Sequence, residues 1–384
     1  MGSFKKAILF IHRWLGFISG LVVFVVSITG CIFCFQDEIQ DALYSYRKVP
    51  VQETPMLKPS AFQQSAIKKY PKGKVTSVLY FGDGRSVQVR ISNNKVLHSL
   101  FFNPYNGQFL YDQDFKNTFF NQVKNVHLYC FMPPGIGAEI RNIGVIIFVV
   151  LMITGIVLWW PKRKSDRKRS FTIKWKGKWR RVNYDLHNVL GFYATAFVLI
   201  IALSGLNMAY ETMGKGVRQL LNGGKEYPLE VKKIKSDTTQ MAQGLKLTQV
   251  MDLAYDTVKQ KSANAQMLIM IPGAAKSGTV SVTAYPQALH FSYNDGYNFD
   301  KYNARLLRYL PTEQKSAGFR FSNMNYDIHT GQIAGLPGKI IAFLASLISA
   351  SLPITGLIVY LGKRGKKKRM IRSSDGKHLR RVVS

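Results

Sequence analysis

Residues Ala7–Phe35 read AILFIHRWLGFISGLVVFVVSITGCIFCF. A run of about 20 apolar residues is what a helix needs to cross a hydrocarbon core of about 30 Å. This run is too long for a secretory signal peptide and has no small-residue cleavage site behind it, so it reads as a retained helix. Three stretches of the same character follow at Ile140–Trp160, Val189–Tyr210 and Lys339–Leu361. In lipid, a helix is the open-chain structure that satisfies its own backbone hydrogen bonds. The sequence therefore predicts an integral membrane protein built on a four-transmembrane-helix bundle. A hydrophobic content of 47%, ordinary for a globular chain, hides this because the apolar residues are gathered into four runs.

Charge gives the orientation. The 384 residues carry a net +32. Between Pro161 and Arg181 stand 11 Lys and Arg against one acid, Asp166, and Lys363–Arg381 carries 10 against Asp375. Lys5, Lys6 and Arg13 flank the first run. A chain that crosses four times puts all three clusters on one side, and the positive-inside rule makes that side, with both termini, cytoplasmic. Short basic loops beside spans need no further partner than anionic lipid headgroups, so no nucleic acid is expected.

The expected organisation is a first span at 1–36, an outer module at 37–137, a second span at 138–161 and a basic loop at 162–186. A third span at 187–210, a second outer module at 211–335, a fourth span at 336–362 and a basic tail at 363–384 complete it. Each outer segment reads as a small α+β module. In the first, Ser60–Lys69 has helical spacing, and strand-like runs follow at Val75–Phe81, Ser86–Ser92, Leu97–Asn103 and Gln108–Tyr111. Gly82-Asp-Gly84, Asn93-Asn94 and Pro104-Tyr-Asn-Gly107 supply the turns. The second repeats the order, with a helix near Leu247–Lys261 and strands at Gln266–Ile271, Thr279–Ala284, Leu289–Tyr293 and Arg305–Tyr309. Three cysteines cannot make a disulfide framework; Cys31 and Cys34 sit in an apolar helix and read as packing residues, and Cys130 has no assigned role.

An internal two-fold duplication organises the rest. His12-Arg-Trp-Leu-Gly-Phe17 opens the first span, and His187-Asn-Val-Leu-Gly-Phe192 opens the third. Ile153-Thr-Gly-Ile-Val-Leu-Trp-Trp-Pro-Lys-Arg163 parallels Ile354-Thr-Gly-Leu-Ile-Val-Tyr-Leu-Gly-Lys-Arg364 in the even spans. His127 and His329 precede those isoleucines by 26 and 25 residues. His12 and His187 thus enter at one depth, and His127 and His329 stand at another, near the opposite face. Each pair can present two neutral imidazoles to the two sides of a flat macrocycle. Gly16 and Gly20 lie one and two turns above His12, and Gly191 and Thr195 stand likewise to His187, leaving room for a porphyrin plane or for close helix contact. Zinc, which wants four converging ligands, suits the pattern less well. His98 and His290 fall on strands and His378 in the basic tail, where each reads as a surface or packing residue.

The chain resembles the PepSY-associated transmembrane-helix family, which includes iron-regulated inner-membrane proteins and siderophore-iron reductases. The resemblance is carried by His12-Arg-Trp-Leu-Gly16, Thr29-Gly30, Val126-His127-Leu128, Asp185-Leu-His-Asn188 with Gly191, and His329-Thr-Gly331 leading to Gly335-Leu-Pro-Gly338. It implies a bacterial inner-membrane location and a periplasmic PepSY module in each outer segment. For the reductase branch it implies two haem b groups, with His12 and His187 as axial ligands on the cytoplasmic side and His127 and His329 on the periplasmic side. The expected activity is transmembrane electron transfer, ending in reduction of ferric siderophore or another periplasmic acceptor. No Gly-x-Gly-x-x-Gly sequence or phosphate loop is present, so a quinol or a cytoplasmic reductase is the expected donor. Two other classes fit the same architecture: a membrane-anchored PepSY protein that binds or inhibits proteases, and a proton-coupled transporter using the histidines as a relay.

Overall fold

A computed structural model of the protein describes residues 2–161 and 163–381, with side chains as far as Gly362. Lys162, residues 382–384 and the side chains of the basic tail, His378 among them, lie outside the described residues. The chain forms two compact units. One takes in Met1–Cys34, Val123–Ala209 and His329–Ser384; the other takes in Phe35–Gln122 and Tyr210–Ile328.

The first unit is helical and contains four helices long and apolar enough to span a membrane: Ser3–Cys34, Pro134–Trp159, Trp179–Ala209 and Gln332–Gly362. Each packs against the next in chain order, and the fourth closes on the first. Val23, Phe148, Leu151, Met152, Ala194, Val198, Ala345 and Leu352 fill the centre. Ile18, Leu21, Ile143, Ile200 and Leu344 stay exposed. Helices apolar on all sides bury one face in the bundle and offer the other to lipid. This is a multi-pass membrane protein. The second span starts with Pro134 in its first turn, where the missing N–H has no helical partner to lose. The third contains a π-helical turn at Leu186–Leu190, with His187 inside it. Such turns rotate side chains out of the regular register and recur at functional sites.

The second unit is built on one antiparallel sheet of eight strands: β1 (Lys74–Tyr80), β2 (Val87–Asn93), β3 (Val96–Phe102), β4 (Phe109–Asp114), β5 (Met267–Pro272), β6 (Val280–Tyr285), β7 (Asp295–Phe299) and β8 (Leu306–Leu310). Their order is β4-β3-β2-β1-β5-β6-β7-β8. The two expected modules are thus two halves of a single sheet, joined where Val78, Leu79 and Tyr80 pair with Met270, Ile269 and Leu268. Each half alone would leave a strand edge unpaired, and joining them removes both edges. Helices Pro59–Lys69 and Leu247–Lys261 cover one face. Phe62, Ala66, Met251 and Val258 from them meet Val78, Ile91, Phe102, Met270, Val282 and Phe299 in a shared core. Burial of each large apolar side chain contributes roughly 1.5–3 kcal/mol. The Asp252 carboxylate accepts from the Ser60 amide at 2.8 Å, satisfying a free N–H at the start of the first helix from the second half.

Two expectations need correction. Leu289–Tyr293 is not a strand; the third strand of the second half is Asp295–Phe299. The buried Asp327 carboxylate accepts from the Phe291 and Ser292 amides, both at 2.8 Å, so the donors a strand would use are already taken. Leu289 accordingly turns with φ 62°. His290, expected on a strand, therefore sits in a loop. His98 does lie on β3, where it meets Tyr70 and Asp112.

Candidate cofactor site: two histidine pairs among the helices

His12 lies on the first span, and its Nδ1 is 2.8 Å from the Thr154 hydroxyl of the second. His187 lies on the π-helical turn of the third span, with Nδ1 2.9 Å from the Thr355 hydroxyl of the fourth. Both imidazoles line one cavity of about 440 Å³ between the helices. That size is within the range of about 300–1,000 Å³ usual for cofactor sites. Gly16, Gly20, Gly155, Gly191, Gly356 and Thr195 line it too. Small residues let a flat ligand lie directly against the helices.

Nearby groups hold this arrangement in place. The amide of Asn183, a residue with almost no exposure, donates to the Thr355 carbonyl at 3.0 Å. Asp185, equally buried, accepts from Arg181 Nε at 2.7 Å and from the Lys174 amide at 3.2 Å. A buried carboxylate requires such partners. The result ties the basic loop to the turn that carries His187.

The other pair is placed differently. His127 and His329 are not on the spans; each lies near the end of a shorter helix, Phe119–Tyr129 or Ala317–Thr330. The chain then reverses into the returning span through left-handed residues, Cys130 and Phe131 in one case and Gly331 and Gly335 in the other. His127 Nδ1 is 3.0 Å from both the Thr29 hydroxyl and the Val26 carbonyl of the first span. His329 Nδ1 is 3.1 Å from the Ser204 hydroxyl and 2.9 Å from the Ile201 carbonyl of the third. The two ring centres stand 6.2 Å apart with planes at 68°. Burial first, then the neighbouring His329 and Arg141, pushes His127 down to about 3, and burial likewise lowers His329. Both shifts favour the neutral imidazole, the form that metal ligation requires.

The family model for the PepSY-associated TM region matches residues 9–363. The chain belongs to the PepSY-associated transmembrane family. No curated protein matches it. The family match spans all four histidines and both units.

Within this PepSY-associated chain, the residues singled out from sequence come together as two pairs. His12 meets His187 with Gly16 and Gly191 at one cavity, and His127 meets His329. Two imidazoles on one metal, each nitrogen about 2 Å from it and each ring centre about 1 Å behind its nitrogen, would have ring centres about 6 Å apart, close to the His127–His329 separation.

The hydroxyl partners were missed in the sequence, although a signal was present. Ile28-Thr-Gly30, Ile153-Thr-Gly155, Leu203-Ser-Gly205 and Ile354-Thr-Gly356 put an apolar-Ser/Thr-Gly triplet that meets a histidine on every span, while Ile18-Ser-Gly20 on the first span has the same pattern and only back-bonds to Leu15. Three of the four stood in quoted motifs. The serine in the third span broke the pattern, and the pairing became visible only when each hydroxyl met a histidine. The π-helical turn had no sequence signature at all.

Proposed function

We propose that the protein is an inner-membrane electron-transfer protein with two haem b groups, which reduces ferric iron in siderophores at the periplasmic face. The observation that carries this reading is the pair of half-buried His–His arrangements, each histidine tethered through Nδ1, which leaves Nε2 available to a metal. His12 and His187 would hold the haem on the cytoplasmic side, and His127 and His329 the haem on the periplasmic side. Thr29, which tethers His127, stands 17 residues beyond His12 on one helix, about 25 Å at 1.5 Å per residue. That spacing suits carriers near opposite faces of a core of about 30 Å. The matched halves of the sequence, with the same tether repeated in each, support an internal duplication.

Bound haem b supplies a one-electron carrier at each site. The protein's part is to hold two neutral imidazoles per site, exclude water with the bundle core and fix the two levels. Each ferric ion takes one electron and becomes ferrous, which weakens its hold by hard oxygen ligands. A quinol donor would release two electrons and two protons; a cytoplasmic reductase is the other donor class. Basic residues such as Lys174, Lys178 and Arg180, beside the third span, favour a cytoplasmic placement of that side.

Purified protein is expected to show a sharp Soret band, with split α and β bands on reduction, typical of six-coordinate low-spin haem. No Cys-x-x-Cys-His is present, so acid–acetone should extract the haem. Reduced protein should reoxidise faster with a ferric siderophore than with the iron-free compound. Colourless protein from haem-replete cells rejects the proposal.

Orientation is tested separately. With Cys31, Cys34 and Cys130 replaced, a cysteine at exposed Asp83 or Gln260 should react with an impermeant thiol reagent in intact spheroplasts. A cysteine at exposed Ser165 should react only after lysis. Labelling of Ser165 from outside inverts the molecule and rules out reduction at the periplasmic face.

A further inference from the structure

We infer that four Ser/Thr-Gly pairs of the spans, Thr29-Gly30, Thr154-Gly155, Ser204-Gly205 and Thr355-Gly356, are positioning residues that select Nε2 of each histidine as the iron ligand and set the attitude of its ring. The inference rests on the haem reading above and extends it to residues outside the ligand set.

The hydroxyl chemistry comes first. A hydroxyl has one proton to donate. Thr29 gives its proton to the Val25 carbonyl at 2.7 Å, and Thr154 to Val150 at 2.9 Å. Ser204 gives its proton to Ile201 at 2.8 Å, and Thr355 to Ser351 at 2.9 Å. Each oxygen can then only accept from the imidazole beside it. While those back-bonds are kept, the Nδ1 of each histidine carries the hydrogen and the lone pair is left on Nε2. For His127 and His329 the Val26 and Ile201 carbonyls, which only accept, require the same tautomer independently. Back-bonding of Ser and Thr to the preceding turn is common in membrane helices and needs no function by itself. Ser19, Thr195, Ser349 and Ser351 back-bond in the same spans without a histidine, whereas Thr29, Thr154, Ser204 and Thr355 each meet a histidine from another helix, and those four histidines are the two pairs.

The glycines supply the seat. A Cβ on Gly30 or Gly155 would lie 3.7 Å from His127 Cε1 or 3.6 Å from His12 Cε1, an ordinary contact. On Gly205 or Gly356 it would lie 3.0 Å from His329 Cε1 or 3.1 Å from His187 Cε1, so the ring would have to shift. The same chemical change thus presses on one ring of each pair and spares the other.

The test uses full-length protein in detergent. Thr154→Val and Thr355→Val should keep haem bound but release it about 10- to 100-fold faster, the usual cost of removing a ligand's outer hydrogen-bond partner. Loss of the Nδ1–H acceptor makes the imidazole a poorer donor to ferric iron, so the midpoint potential of that haem should rise. A tenfold preferential loss of ferric affinity corresponds to about 59 mV for one electron. Thr154→Ser and Thr355→Ser, which keep the hydroxyl, should restore both values. Gly205→Ala and Gly356→Ala should change the low-spin EPR signal of one haem each, while Gly30→Ala and Gly155→Ala should leave both signals in place. A role in helix packing alone would alter thermal stability without moving potential or EPR. Wild-type potentials and release rates in the valine variants overturn the inference, as does a set of four glycine variants that behave alike. Wild-type protein lacking haem removes the underlying reading as well, and so is told apart from failure of this one.

Discussion

Under the proposed two-haem arrangement, His127→Ala and His329→Ala should each abolish the same haem and leave the other intact, lowering the haem content from two per chain to one. The two ring centres stand 6.2 Å apart, with planes at 68°, on helices shorter than the spans, while His12 and His187 share a separate cavity. Removing one axial imidazole leaves a five-coordinate iron with a vacant position. Its spectrum should become high-spin wherever the macrocycle is retained at all. His12→Ala and His187→Ala should change the other species in the same way. Reduced-minus-oxidised spectra and low-temperature EPR of the four variants check this directly. If His12→Ala and His127→Ala altered one common species, the pairing would be wrong.

The second large effect concerns glycines where each outer histidine's segment passes the returning span. A Cβ on Gly137 would collide with the Tyr129 carbonyl, and one on Gly338 with the Gly331 carbonyl. Both obstacles are backbone, so no side chain can move aside. Gly137→Ala and Gly338→Ala should therefore cost at least the upper end of the usual overpacking range of about 1–3 kcal/mol. They should also loosen the haem proposed at His127 and His329, because Tyr129 and Gly331 lie two residues from those histidines. Gly135→Ala is the control, since a Cβ there meets nothing within 4 Å. Thermal melting of detergent-solubilised protein and haem retention after heating distinguish them. Equal behaviour of Gly135→Ala and Gly137→Ala would refute the close-approach argument.

Much of the site was legible because its residues stand in patterned positions. His12 and His187 share a Leu-Gly-Phe that follows at fixed spacing, and Gly16 and Gly191 fall one helical turn away. Periodicity alone puts these on one face of one helix. His127 and His329 were legible by their near-equal distance from the Ile-Thr-Gly segments, but their local structure was not. Both are on separate helices that reverse before the span, through Gly331 and Gly335 after His329 and, after His127, through Cys130 and Phe131, which adopt left-handed backbone where non-glycine residues rarely go.

The sequence by itself determined the four spans, the uneven placement of charge and most strands of the sheet unit. These follow from local quantities: the length of an apolar run, the alternation of side chains, the residues tolerated in a turn. Only the tertiary structure decided that two modules share one eight-stranded sheet, that Asp327 turns Leu289–Tyr293 into a loop, and that each histidine meets a hydroxyl on another helix. Thr154 serves His12 across 142 residues of chain and Ser204 serves His329 across 125. A hydrogen bond of that span leaves no local mark in sequence, because the partner is chosen by helix packing and not by spacing along the chain.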